Sequence, residues 1–297
     1  MTADARARAL PFLALIAGAC AIGFVPNLVR LADTGPAAAG FWRMALSLPL
    51  LLPLMLRDGR GLGLRPSTAS LLAGLFFAGD LAFWHYGIRY TSVANATVLA
   101  NLSPVVVTAV AWFLFRERPG RMFMVGLAVA LAGAWIMAAG AAAGGAVAPL
   151  LGDLLSLTTA VWYALYFVAM RRARQGEGAS RAMFWSSLAT APVMLAVALA
   201  MGEPILPGST GGWLACLGLA VAHVAGQGSI AWALGRLPAS IASVVVLAQP
   251  VVAAIVAWFL FQEALTPVQM LGGALTLAGV VVAQRAQVRK VEPQRAQ

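Results

Sequence analysis

Long apolar segments recur along nearly the whole chain, and short connections rich in Pro, Gly and charged residues separate them. Apolar stretches of about 18 or more residues are typical of helices that cross a membrane. The pattern predicts ten such spans, roughly at residues 10–31, 36–56, 67–89, 92–115, 122–140, 151–171, 181–201, 212–235, 239–261 and 267–285. We therefore expect an all-α membrane protein with ten transmembrane helices.

Two segments of the chain are nearly the same. The first runs from Pro104 through Ala-Trp-Phe-Leu-Phe to Glu117, and the second runs from Pro250 through the same five residues to Glu263, at an offset of 146. Of the thirty positions from 104 to 133, sixteen are identical in the second copy. Such agreement indicates an internal duplication.

The duplication predicts two repeats of five spans, at residues 10–140 and 151–287, followed by a cytoplasmic tail at 288–297. Because five is an odd number, the two repeats are expected to insert upside down relative to each other. The connection after the first copy of the motif carries Arg116 and Arg118, whereas the equivalent connection of the second copy has no base. Since bases mark the cytoplasmic side, this difference favours inverted repeats.

Composition and charge agree with this architecture. Apolar residues make up 61% of the chain and charged residues 10%, against about 25% in a soluble domain. The net charge is +10, but the bases lie in short connections, so they indicate topology and not nucleic-acid binding. With the N-terminus inside, seventeen of the twenty bases fall on the cytoplasmic side. We expect a bacterial cytoplasmic (inner) membrane protein with both termini in the cytoplasm.

Inverted repeats are typical of alternating-access transporters, whose substrate binds near the midplane between the repeats. Pro104 and Pro250 each lie about eleven or twelve residues into a span, close to mid-membrane. Proline bends or loosens a helix, and the freed carbonyls need protein or a watery cavity nearby. A packing kink and a cavity are both open interpretations. ATP-driven transport is not expected, because a P-loop needs a lysine and Lys290 in the tail is the only one.

The paired proline and glutamate hairpins, the Gly-rich last span of each half, and Arg43 after Phe41-Trp42 resemble the EamA repeat of the drug/metabolite transporter superfamily. The resemblance covers essentially the whole chain, once per half. Within the superfamily the chain is most similar to YddG-type bacterial exporters of aromatic amino acids and related compounds. The second half departs from the pattern, because Ser186 replaces the arginine. Any role of that arginine is therefore confined to the first half.

Polar residues inside the spans are candidates for a substrate site, because a charge at the bilayer centre costs roughly 2.5–3.5 kcal/mol and needs a partner or water. Asp80 and Arg43 lie at similar depth and are predicted to pair. The pair is either structural or functional, with Asp80 taking up a proton or a substrate amine in the second case. The predicted substrate-binding set is Asp80, Trp84, Asn101, Ser103, Trp162, Tyr163, Tyr166, His223, Gln227 and Gln249.

A second set is predicted to serve as hinges or in packing: Arg43, Pro104, Pro250, Gly133 and Gly279. The fifth and tenth spans are rich in small residues, which allow close helix packing in lipid. They indicate an internal scaffold or a dimer contact, so a homodimer is left open. His85, near the outer end of the third span, is interpreted as interfacial.

The predicted site suits a zwitterion or a neutral amphipath with a flat apolar body, and not a sugar phosphate. Export of other small metabolites or drugs by the same kind of transporter is the alternative. An intramembrane serine hydrolase is a weaker one, because Ser229 is only six residues from His223 and this chemistry uses a histidine on another helix. With no HExxH motif or Cys/His cluster, no metal, cofactor or catalysis is expected. The expected partners are a small-molecule substrate and the lipid bilayer.

Overall fold

The computed structural model describes residues 3–57, 65–91, 96, 99–116, 118–139, 148–262 and 264–291, and all regular structure within these ranges is helical. Glu117 and Glu263 of the repeated motif lie outside the described residues, as do the connections at 58–64 and 140–147 and most of the predicted tail.

The helices follow the predicted spans, and several spans consist of two helices in line. The first half contains α1 (Ala3–Gly23), α2 (Val25–Leu31), α3 (Pro36–Ala45), α4 (Ser47–Arg57), α5 (Thr68–Tyr90), α6 (Ser103–Phe115) and α7 (Arg121–Ala139). The second half contains α8 (Pro149–Ala173), α9 (Ala179–Ala200), α10 (Thr210–Ala222), a π-helical turn (His223–Gln227), α11 (Gly228–Leu234), α12 (Ala239–Val246), α13 (Gln249–Phe261) and α14 (Pro267–Val291).

Eight segments of the described chain are long and apolar enough to cross a membrane, so the protein is a multi-pass membrane protein. Helix α5 has 23 residues but is not among the eight, since Asp80 and His85 lower its hydropathy. Helix α6 is apolar but only 13 residues long within the described part of its span. The count of ten transmembrane helices therefore stays a prediction.

Helix packing follows the duplication. In the first half, α5 packs along α8 of the second half, and the equivalent segment of the second half, α10 to α11, packs along α1 and α2. Equivalent spans also pair with each other: α3 and α4 pack against α9, α6 packs against α12 of the corresponding span, and α7 packs against α14. This exchange is the pattern expected for two copies related by a two-fold axis. The two halves are thus intertwined, and residues of both reach the centre.

The two proline-containing spans are interrupted, where the sequence predicted bends. Pro250 lies in the first turn of α13, four residues after the last residue of α12. Just before it, the Leu247 amide donates to the Val244 carbonyl at 3.1 Å, a spacing of three residues that tightens the chain. Pro104 has the same place in the first turn of α6. A proline in the first turn sacrifices no helical hydrogen bond, so these breaks are compatible with intact helices on either side.

The carboxyl ends of α6 and α13 also match. The residues that follow them, Arg116 and Gln262, both have a φ of 56°. A left-handed residue is a common way to end a helix, but it is usually glycine. The same uncommon backbone conformation at equivalent positions shows that the duplicated sequence folds twice into the same local structure.

Equivalent aromatic side chains of α6 and α13 face away from the protein. Phe113 is 77% exposed and Phe259 is 67% exposed. The neighbouring Trp112 and Trp258 are about half exposed. Exposed apolar surface of this size is typical of contact with lipid, so these faces are expected to lie against the bilayer.

Helices α7 and α14 pack closely through their small residues. An added Cβ atom on Gly279 would overlap the backbone nitrogen of Ala130, and one on Gly133 would overlap that of Thr276. The two backbones approach because neither glycine has a side chain. The small faces of the fifth and tenth spans therefore meet inside one chain, so a scaffold accounts for them without a dimer.

Replacing Gly279 with alanine should destabilise the protein, because the new methyl group would push α7 and α14 apart. We expect a loss of about 1–3 kcal/mol, seen as a lower melting temperature of the purified protein. Gly228→Ala is the matched control, since Gly228 is also helical and nothing lies within 4 Å of its added Cβ atom. Equal melting temperatures for the two variants would contradict the close contact.

Candidate functional site

Side chains from several spans converge on the guanidinium of Arg43 in α3, which is 5% exposed. Its Cζ atom lies 5.4 Å from the centre of the Phe77 ring in α5. Asp80 of α5 and the tyrosines Tyr163 and Tyr166 of α8 interact with it electrostatically. An aromatic face attracts a cation, and the attraction is stronger away from water. Together with His223 and Gln227, these residues form what we call the central cluster.

A continuous set of aromatic rings forms one wall of the central cluster. The Phe77 ring lies 4.8 Å from the ring of Tyr166 and 5.7 Å from that of His223, with which it stacks. Tyr163 stacks on Tyr166 at 6.0 Å and meets Phe167 edge-on at 4.8 Å. Aromatic pairs favour such separations. The wall is a layer of packed aromatic rings beside a charged group.

The π-helical turn places two polar side chains against this wall. His223 and Gln227 are 2% and 1% exposed. The Nε2 atom of His223 is 3.0 Å from the hydroxyl oxygen of Ser187 in α9, and Gln227 lies against the hydroxyl groups of Tyr163 and Tyr166. A π-helical turn has one residue more than the corresponding α-helical turn and is frequent at functional sites. The turn therefore joins α8, α9 and α10 at the centre.

Asp80 and Arg43 interact, but they do not form the close pair that the sequence suggested. Their charges affect each other in the structure. Within the described chain, however, no ion pair of 4.0 Å or less joins them. Asp80 is half-buried, whereas Arg43 is buried. The carboxylate is thus near enough to lower the electrostatic cost of the buried cation without forming an ion pair with it.

The other predicted site residues lie on the same helices or on the proline-containing spans. Trp162 packs against the rings of Phe76 and Phe83, and Trp84 lies 5.2 Å from His85. Asn101, Ser103 and Gln249 flank the two breaks before α6 and α13, and Ser103 is buried. Among the described hydrogen bonds and ring contacts, none joins Trp84 or these three residues to Arg43.

Three further residues around the central cluster were not in the predicted substrate-binding set. His85 is 6% exposed and interacts electrostatically with Arg43, so it is covered by neighbouring helices; its interfacial depth stays a prediction. The Phe77 ring contacts the guanidinium of Arg43, and the Ser187 hydroxyl contacts the Nε2 atom of His223. The internal repeat contained a signal for Ser187, because it follows Ser186, the position that corresponds to the arginine of the first half.

Glu203, which follows α9, links the amino-terminal end of α3 to the carboxyl-terminal part of α5. Its Oε2 atom accepts hydrogen bonds from the backbone amides of Ala37 and Ala38 at 2.9 and 3.0 Å, and its Oε1 atom accepts one from the Tyr86 hydroxyl at 2.8 Å. A carboxylate at the first turn of a helix satisfies free amides and favours the helix dipole. Glu203 therefore caps α3, the helix that carries Arg43.

The opposite end of α5 is held by polar contacts as well. The Oε1 atom of Glu177 accepts a hydrogen bond from the Ser67 amide at 2.9 Å, and the Arg181 guanidinium donates to the Arg65 carbonyl at 3.0 Å. These contacts tie the connection before α5 to the connection between α8 and α9. Contacts between the two halves thus lie near both ends of α5, the helix that carries Phe77 and Asp80.

The geometry does not support the serine hydrolase alternative. The Ser229 hydroxyl donates to the Ala225 carbonyl at 2.6 Å, while His223 is bound to Ser187. The suggested pair of Ser229 and His223 is therefore not formed. Among the described residues, no group of three His, Cys, Asp or Glu side chains is placed to hold a metal ion.

The sequence and the fold were compared with known proteins. The profile of the EamA-like transporter family matches residues 9–139 and 150–284. An uncharacterized transporter of Archaeoglobus fulgidus is 28% identical over 273 residues, which cover 92% of this chain and 95% of the relative. The uncharacterized transporter YwfM of Bacillus subtilis is 26% identical over 216 residues, 71% of each chain. A solved crystal structure with 22% identity has the same fold, with a TM-score of 0.80 over 94% of this chain and 98% of the other.

Replacing Asp80 with asparagine should destabilise the protein, because Arg43 would lose the negative charge that faces it. We expect a loss of at most about 3 kcal/mol, the lower end of the cost of breaking a buried pair, since Asp80 is half-buried. The double variant Asp80→Asn with Arg43→Gln should recover the melting temperature. A stable Asp80→Asn protein that transports normally at every pH would show that Asp80 neither balances Arg43 nor takes part in transport.

Proposed function

Because the chain belongs to the EamA-like transporter family, with one match in each half, we propose that it exports small organic metabolites across the bacterial inner membrane. Aromatic or hydrophobic amino acids, the substrates of YddG-type exporters, fit its site best. The protein is a multi-pass membrane transporter, and both curated relatives are transporters too. Other small metabolites or drugs are the alternative substrates.

The observation that carries the substrate proposal is the aromatic wall beside Arg43 and Asp80. An aromatic amino acid has one flat apolar body, one carboxylate and one ammonium group. The rings of Phe77, Tyr163 and Tyr166 offer the flat surface. The guanidinium and the carboxylate offer both signs of charge nearby. A pocket that is mostly apolar with a few placed polar groups is the usual form of a small-molecule site.

The two-fold pattern supports alternating access as the mechanism. Spans that exchange partners between two halves pack in two equivalent ways, each open on one side of the membrane. In this mechanism the contacts of Glu203 and those of Glu177, near opposite ends of α5, serve as the two gates. Export then requires that the Glu203 contacts and the Glu177 contacts break alternately and never at the same time. In the proposed topology, both termini are cytoplasmic and the Glu203 contacts face outwards.

Counterflow in liposomes tests the function. Purified protein in vesicles loaded with unlabelled phenylalanine should accumulate external radiolabelled phenylalanine, tryptophan and leucine, since exchange needs no energy source. Aspartate, with its second negative charge, should not be accumulated. Exchange of a neutral or cationic drug with no exchange of any amino acid would favour the alternative substrates.

Filling the space beside the proline breaks should block transport. We expect Ser103→Trp and Gln249→Trp to reach the membrane folded but to lose at least about 90% of the exchange rate, because the indole would occupy a substrate path at each break. Val105→Trp is the matched control, since Val105 lies in α6 and is 43% exposed. Normal exchange by both test variants would mean that the breaks serve packing only.

A further inference from the structure

The central cluster contains two buried hydrogen-bond donors that have no acceptor. The Nε atom of Arg43 and the Nε2 atom of Gln227 are both buried, and neither has a hydrogen-bond partner among the described residues. A guanidinium contains donors only, and the nitrogen of a side-chain amide is a donor as well. Buried polar groups in proteins are nearly always paired. The group that would complete this site is therefore an acceptor.

The titratable groups around Arg43 also indicate that its missing partner is an acceptor. Asp80 and His85 face it from α5, Tyr163 and Tyr166 from α8, and His223 from the π-helical turn. Asp80 supplies the only carboxylate of this group, and it is not within 4.0 Å.

We propose that Arg43 anchors the carboxylate of the transported substrate, with Gln227 as a second donor, and that this carboxylate decides which molecules bind. The inference rests on the proposed function, because it takes the central cluster to be the substrate site. A planar guanidinium binds a carboxylate through two parallel hydrogen bonds. The ammonium group of an amino acid would then face Asp80, and its ring would lie on the wall around Phe77.

A monoanion fits the site better than a phosphate. One buried guanidinium supplies a single positive charge, and the nearby Asp80 would repel a dianion. The arginine occurs in the first half only, since Ser186 has its place in the second. The two-fold scaffold thus has one arginine at this position. We infer one carboxylate site per chain, beside Arg43 of α3.

Three ligands that share a phenyl ring test whether the site prefers a carboxylate or an amine. Their binding is measured on the purified full-length protein in lipid nanodiscs. The ligands are phenylalanine, 3-phenylpropionate, which lacks the amine, and 2-phenylethylamine, which lacks the carboxylate. We expect 3-phenylpropionate to bind at least ten times more tightly than 2-phenylethylamine by isothermal titration calorimetry. Tighter binding of the amine would overturn the assignment of Arg43.

Substitution of Arg43 tests the anchor directly. Wild-type protein should prefer phenylalanine to phenylalaninamide at least tenfold, and Arg43→Gln should abolish that preference. Arg43→Lys, which keeps the charge but not the planar fork, should retain only part of it. Arg57→Gln is the matched control, since Arg57 is exposed at the end of the same span. A packing role would weaken both ligands equally and leave their ratio unchanged, which would contradict the proposal.

If Arg43→Gln does not fold, the variant Gln227→Glu tests the same proposal. It places a carboxylate beside the same tyrosines and should act as an internal substitute for the substrate. We expect a higher melting temperature and no further stabilisation by 3-phenylpropionate. A lower melting temperature with undiminished stabilisation by the ligand would overturn the proposal.

The outcomes for the inference and for the proposed function differ. If the protein exchanges neutral or cationic aromatic compounds but binds no carboxylate, the transport function stands and the Arg43 assignment falls. If it neither binds nor exchanges amino acids, aromatic acids or aromatic amines, the proposed function fails, and the assignment of Arg43 fails with it.

Discussion

A backbone that crosses hydrocarbon must satisfy its own hydrogen bonds, because lipid offers no partner to a free amide or carbonyl. The described chain obeys this constraint by being helical, and two of its irregular segments are placed inside the protein. Residues 244–248 before α13 are buried, as are His223 and Gln227 of the π-helical turn. Irregular backbone survives only where protein surrounds it, so these points mark the interior around the site.

The scaffold is symmetric, but the site is not. Duplication explains the paired proline breaks, the matching helix ends and the exchange of helix partners between the halves. The chemistry comes from residues that the duplication does not repeat. Arg43 has Ser186 as its counterpart, and the π-helical turn has no equivalent in the continuous α5. A symmetric scaffold can move between two equivalent arrangements, while an asymmetric site gives the substrate one orientation.

The sequence predicted features that depend on local pattern, and it missed those that depend on tertiary packing. Apolar length located the spans, and the repeat located the motif at Pro104 and Pro250. The π-helical turn was not predictable, because Gly226 within it packs against Ile22 of α1, far away in sequence. The burial of His85 has the same cause: its position along α5 suggested an interface, but neighbouring helices cover it.

The cap that Glu203 places on α3 links two events of the proposed transport cycle: the opening of one end of the site and the release of the substrate. The carboxylate comes from the second half, and the helix that it caps presents Arg43 from the first. In the proposed alternating-access cycle, breaking the Glu203 contacts would remove the cap of α3 and free its first residues to move. The helix that would lose its cap is the one that presents the guanidinium. In that cycle, release of the substrate would be coupled to opening of the gate, without a separate signal.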